Sequence, residues 1–206
     1  MNTMNKFRNL RFMAIALIAV AIASCSSDDD APAVENEVEV ITDVTLVFTN
    51  AADPNDVVRA SAEDPDGEGI QELEVQDQIT LTANTTYTLT FEILNALDPD
   101  DVEDIGDEIS EEDDEHQIFF SFSTDAFANP AGDGNIDNAG DAIVYNDEDG
   151  NGNPLGLNTS WTTGANTLLG GTFTARLQHQ PDIKDETTGA TDGDTDFDLE
   201  FTLNIQ

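Results

Sequence analysis

The chain reads as an all-β protein, a single antiparallel β-sandwich of about eight or nine strands with one short acidic helix in a connection. Three features lead there. From Val38 onward apolar residues recur at every second position, which is the period of half-buried strands. Gly, Asn and Asp fill the gaps between these runs, where turns need them. Helical periodicity is confined to one stretch, so the helices that a parallel α/β sheet places between its strands are missing.

In chain order, residues 1–24 carry Lys6, Arg8 and Arg11 and no acid, and the apolar run Phe12 to Ala23 follows. That run is too short to span a bilayer as a helix and suits the core of a signal peptide. Ile22-Ala23-Ser24-Cys25 resembles a bacterial lipobox, which implies cleavage before Cys25 and lipidation of this sole cysteine. Each acyl chain contributes about 0.8 kcal/mol per buried methylene, so two or three chains anchor a protein without a transmembrane helix. Next, Ser26, Ser27, Asp28, Asp29 and Asp30 are similar to the acidic surface-export signal of Bacteroidetes lipoproteins. That resemblance implies the outer membrane, lipid-anchored and facing the cell exterior. The same composition makes 25–37 a flexible tether, and the domain is expected to occupy 38–206.

Within that domain Val44, Leu46 and Phe48 share one face of a strand, as do Val58, Ala60 and Ala62, then Leu73, Val75, Ile79 and Leu81. Tyr87, Leu89, Phe91 and Ile93 form another, after the turn-like Ala83-Asn84-Thr85. Val102, Ile105 and Ile109 mark the helix, in an acidic segment opening at Asp98-Pro99, with Asp98 as the expected cap. Further strands are read at Ile118 to Phe122, at Ile143 and Tyr145, around Trp161, at Phe173 to Leu177 and at Phe197 to Ile205.

Charge narrows the function. Asp and Glu number 44 against 6 Lys and Arg, a formal net charge of −38. Removal of residues 1–24, with three cations and no acid, takes it to −41 and leaves Arg59, Arg176 and Lys184. Such a surface repels nucleic acid and anionic lipid, so no nucleic-acid partner is expected and the membrane is met through the anchor alone. Basic partners and divalent cations are the ligands it favours.

Four loops set oxygen donors at alternate positions: Asp64, Asp66 and Glu68; Asp133, Asn135 and Asp137; Asp147, Asp149 and Asn151; and Asp192, Asp194 and Asp196. Calcium takes six to eight hard oxygens from such loops. The Asp147 loop matches the opening of an EF-hand best, with Gly152 at position 6, but position 12 is Asn158. Either the loops bind Ca2+ with borrowed ligands, or Asp, Asn and Gly make turns there and nothing more.

The two histidines share the core-facing parity of their strands, His116 with Ile118 and Phe120, His179 with Leu177 and Ala175. Both stand at strand ends with acids nearby, Glu115 before His116 and Asp182 after His179. If the strands pair, His116, His179 and Glu115 suit Zn2+ or another transition metal. The alternative is two rim histidines hydrogen-bonded to carboxylates. No nucleophile elbow and no phosphate-binding glycine loop is present, so the chain is not expected to be an enzyme.

These motifs assemble into a family resemblance. Glu112 to Phe120 (EDDEHQIFF), Tyr145 to Leu157 (YNDEDGNGNPLGL), Leu177 to Pro181 (LQHQP), Ala62 to Gly69 (AEDPDGEG) and the ending Thr191 to Gln206 resemble a family of small flavobacterial surface lipoproteins. Its members are often labelled type 1 periplasmic binding fold proteins, an α/β name, whereas the alternation here predicts a sandwich. Membership implies a role beside TonB-dependent outer-membrane receptors in nutrient or metal uptake, with His116, His179, Asp147, Asp149 and Asn151 as the functional positions. Glu68 stands where the family loop more often has Asp. The expected function is therefore a non-catalytic binding module serving a TonB-dependent receptor. The alternative is a structural or adhesive surface protein with calcium-braced loops, and glycan stacking on Trp161 and Tyr145 ranks last because a lone Trp usually fills a core.

Overall fold

Alternation becomes structure in β1 (Asp43–Asn50), where Val44, Leu46 and Phe48 are buried while Thr45, Val47 and Thr49 remain partly exposed. The computed structural model describes residues 39–64, 66, 72–137 and 142–206, which belong to one compact unit, Val38–Gln206. The leader 1–24, Cys25, Ser27, Asp28, Asp29, Asp30, the rest of the tether and Glu68 lie outside the described residues.

After β1 come β2 (Val57–Glu63), β3 (Glu74–Val75), β4 (Ile79–Leu81), β5 (Thr86–Asn95), β6 (Glu103–Asp104) and helix α1 (Ile105–Glu111). Then follow β7 (His116–Phe122), β8 (Phe127–Asn129), β9 (Asn158–Thr163), β10 (Leu168–His179) and β11 (Asp194–Ile205). One sheet runs β3-β2-β1-β5-β9-β8 with β6 against β5, and the other runs β4-β11-β10-β7. Their inner faces share a single apolar core. Phe48 of the first sheet meets Phe173 of the second edge to face at 5.6 Å. Trp161, wholly buried, collects Phe120, Phe122, Phe127 and Phe173 at 4.8 to 5.5 Å, and its indole N–H donates to Thr159 Oγ1 at 2.7 Å. Trp161 is wholly buried and Tyr145 is partly buried with its ring against Phe120, so the two do not form an exposed aromatic platform for a sugar.

The sandwich thus stands as expected, with five departures. Eleven strands are present among the described residues, because β3, β6 and β8 are too short to show an alternation. The stretch Leu73 to Leu81 is two strands in two sheets, since the chain crosses the core edge between Val75 and Ile79. β4 then pairs with β11 in parallel, the one exception to the antiparallel ladders among the described residues. The helix begins later than read: Asp98 closes a turn onto the Asp100 N–H, while Asp104 caps α1 by accepting from the Asp107 N–H at 3.2 Å. Val102 is left exposed and only Ile105 and Ile109 are buried. Ile143 and Tyr145 form no strand, only a bridge from Tyr145 to Thr159.

Candidate functional site

β7 and β10 pair so that His116 and His179 are the last partners of the ladder, directly opposite one another. Side chains opposite in an antiparallel pair lie on one face, and here that face looks into the end of the core. The imidazoles stack with centroids 4.4 Å apart and planes 9° from parallel, and both residues are buried.

Around them the chain gathers carboxylates from four elements. Glu112 is the C-cap of α1, Glu115 leads into β7, Glu39 precedes β1 and Asp196 belongs to β11. Asp196 arrives by a β-bulge: Leu177 pairs with Phe197 but Gln178 with Thr195, leaving Asp196 as the extra residue. A bulge re-aims a side chain, so an acid whose parity matches the outward Asp198 and Glu200 turns toward His116. Ligand atoms of Glu39, His116 and Asp196 all lie within 4.8 Å of one another, as do those of Glu112, His116 and His179.

The hydrogen bonds set the tautomer. His116 Nδ1 lies 3.2 Å from the Glu112 carbonyl oxygen and donates to it, which leaves Nε2 directed at Glu39. Nε2 is 3.3 Å from Glu39 Oε1, yet it makes no aligned hydrogen bond, and Glu39 Oε2 and Asp196 Oδ2 are likewise buried without one. His179 Nε2 lies 3.4 Å from Glu115 Oε2. Burial works against a charged His116 ring, but Glu39, the Glu112 carbonyl and Asp196 outweigh it and hold its pKa above 6.5. Burial, with Glu39 beside it, pushes the Asp196 carboxyl up to about 6 against the pull of both imidazoles.

The oxygen-rich loops are built differently. Asp147 accepts from the Gly156 N–H at 2.9 Å and the Asn158 N–H at 2.8 Å. Asp149 accepts from the N–H groups of Asn151 and Asn153 and from the Asn153 amide. Lys184 Nζ stands 3.5 Å from Asp149 Oδ2, with both side chains buried, and also donates to the Asp113 carbonyl. An ammonium therefore pairs with Asp149, one of the three expected calcium ligands, while Asn151 itself is exposed. In the loop Asp133, Asn135 and Asp137 the two acids are exposed and Asn135 is buried. Asn135 Oδ1 accepts from the Phe120 N–H at 2.8 Å and its amide donates to Tyr145 Oη at 2.9 Å, so it braces β7. Asp64 accepts from the Asp66 N–H at 3.1 Å, closing a turn.

The structure thus brings together His116, His179 and Glu115 as the sequence suggested, and adds Glu39, Glu112 and Asp196. Glu39 alternates with Val38 and Val40 and reads as a solvent-facing strand residue. Asp196 alternates with Phe197 in the same way, and no sequence signal marks the bulge. Comparison of the chain with known protein families, with curated proteins and with solved structures finds no match.

Proposed function

We propose that this protein is a lipid-anchored, surface-exposed outer-membrane module that binds a divalent transition-metal ion without catalysis, in support of a TonB-dependent receptor. The observation that carries the reading is the buried, stacked imidazole pair ringed by carboxylates at one end of the sandwich. Imidazole and carboxylate together suit zinc, iron and manganese. The acidic surface raises the local concentration of cations around such a site. His116 has no exposed surface, which suits holding an ion and not turning over a substrate. The anchor rests on Ile22-Ala23-Ser24-Cys25 and the acids that follow.

Calorimetric titration of the purified mature protein with zinc, beside the His116→Ala/His179→Ala double variant, tests the binding reading. One equivalent should bind to the wild type and none to the variant. Equal binding by the two overturns it, and loop bracing by calcium, seen as a rise in Tm with calcium alone, then becomes the better account. Labelled palmitate should enter through Cys25 and be lost in Cys25→Ala, and external protease should remove the domain from intact cells.

A further inference from the structure

We propose that the ion is held by Glu39, His116 and Asp196, one imidazole and two carboxylates, and not by the two stacked imidazoles together. The inference rests on the metal-binding reading and deepens it. Three observations support this ligand set.

The first is ring geometry. An imidazole lone pair lies in the ring plane, and a zinc–nitrogen bond is about 2.0–2.1 Å. With rings 4.4 Å apart and 9° from parallel, an ion shared between them would sit well out of both planes. One ring would have to turn inside a packed core. The second is the direction of His116: its Nδ1–H is committed to the Glu112 carbonyl at 3.2 Å, so Nε2, 3.3 Å from Glu39 Oε1, is the nitrogen left for a metal ion, which would displace its proton. Ligating histidines are characteristically oriented in this way by a backbone carbonyl on the other nitrogen. That carbonyl also lies at the C-terminal end of α1, where the helix carries partial negative charge. The third is the unmet demand: His116 Nε2, Glu39 Oε2 and Asp196 Oδ2 are all buried without a hydrogen-bond partner, and all three belong to one group with ligand atoms within 4.8 Å of one another. His116 is wholly buried, and the Glu39 side chain is 9% exposed. A buried acceptor left unsatisfied is costly, and two carboxylate oxygens that converge on one ring nitrogen favour a cation between them.

The donor set selects the class of ion. A nitrogen donor disfavours calcium, which takes oxygen ligands. The absence of a thiolate from the set disfavours copper(I). Zinc(II), manganese(II) and iron(II) fit. The set also joins three distant parts of the chain, since Glu39 leads into β1, His116 opens β7 and Asp196 is the bulge of β11. The ion would fasten the segment before β1 to the second sheet, and His179 would act as a positioning residue that holds the His116 ring by stacking.

Zinc titration of the mature protein and of Glu39→Gln, Asp196→Asn and His179→Phe variants tests the assignment, with far-UV circular dichroism to confirm each fold. Glu39→Gln and Asp196→Asn should each weaken zinc binding by about tenfold or more, while His179→Phe stays within about threefold. X-ray absorption at the zinc edge should fit one imidazole, and zinc should slow amide exchange across residues 39–42 in the wild type but not in Glu39→Gln. Loss of binding in His179→Phe with Glu39→Gln and Asp196→Asn unchanged, or a spectrum requiring two imidazoles, overturns this ligand set and leaves the metal-binding reading standing. A wild type that binds neither zinc nor manganese overturns both.

Discussion

Gly193 stands at φ +85°, and a Cβ placed on it would lie 2.1 Å from the His179 carbonyl oxygen. Both facts restrict the position to glycine, so Gly193→Ala should cost roughly 1–3 kcal/mol in backbone strain alone and shift the end of β10. Urea unfolding measures the first effect and weakened zinc binding the second. Lys184 and Asp149 form a pair with both side chains buried. Lys184→Met would leave a buried carboxylate without its cation, a loss of about 3–5 kcal/mol, and Lys184→Met/Asp149→Asn should recover part of it. The pH dependence follows from Asp149. Burial raises its pKa, but Asn153, the backbone N–H groups and Lys184 more than offset this and hold it below 3.8. Its contribution is therefore fully present above pH 3.8 and is lost as pH falls through the lower, folded-state value. Unfolding curves at about pH 3 and pH 7 should differ more for the wild type than for Asp149→Asn. The histidines and Glu115 were legible as a cluster because parity and strand pairing decide their placement. Lys184 was not, since nothing in sequence spacing brings a cation on one loop to an acid on another.

Among the elements, β7 is a seven-residue edge strand whose free side needs protection. It borders β10 on one side only, and an unpaired edge invites association with another chain. Irregular chain covers the other side: the Ile118 N–H reaches the Leu155 carbonyl at 2.7 Å and the Phe122 N–H the Asp133 carbonyl at 2.8 Å. Asn135 completes the seal through its side chain and its own N–H, both onto Phe120. Asn135→Ala should leave the Phe120 N–H and the Tyr145 hydroxyl short of a partner, at about 1–3 kcal/mol. Hydrogen exchange at Phe120 should accelerate in that variant, and unchanged exchange would show that the backbone bonds alone hold the edge. The long strands β1, β5, β10 and β11 could be read directly, since eight or more residues give the alternation time to appear. β3, β6 and β8 could not, because two or three residues are held by what lies beside them and not by their own pattern. The late start of α1 has the same origin: Asp98, Asp100, Asp101 and Asp104 all precede it, and only packing of Ile105 and Ile109 selects Asp104 as the cap.

At the scale of the whole molecule, the three cations of the domain are all engaged, Arg59 with Glu92, Arg176 with Asp198 and Lys184 with Asp149. The remaining acids repel one another across a small surface. Raising ionic strength from about 0.01 M to 0.15 M shortens the screening length from about 30 Å to 8 Å, so Tm should rise by several degrees over that range. A Tm that stays constant would show that the carboxylates are too well separated to matter. The order of strands adds a kinetic side to the same acidity. β11 lies between β10 and β4, and its parallel ladder joins Ile79 to Leu203 and Leu81 to Ile205. The second sheet therefore has no interior until the last strand arrives, and pairings this remote in sequence form slowly. Throughout that wait β4 and β10 present open edges on which neighbouring chains can stack. A charge that opposes the finished fold also keeps unfinished copies apart, and it gives a slow topology the time it needs to close.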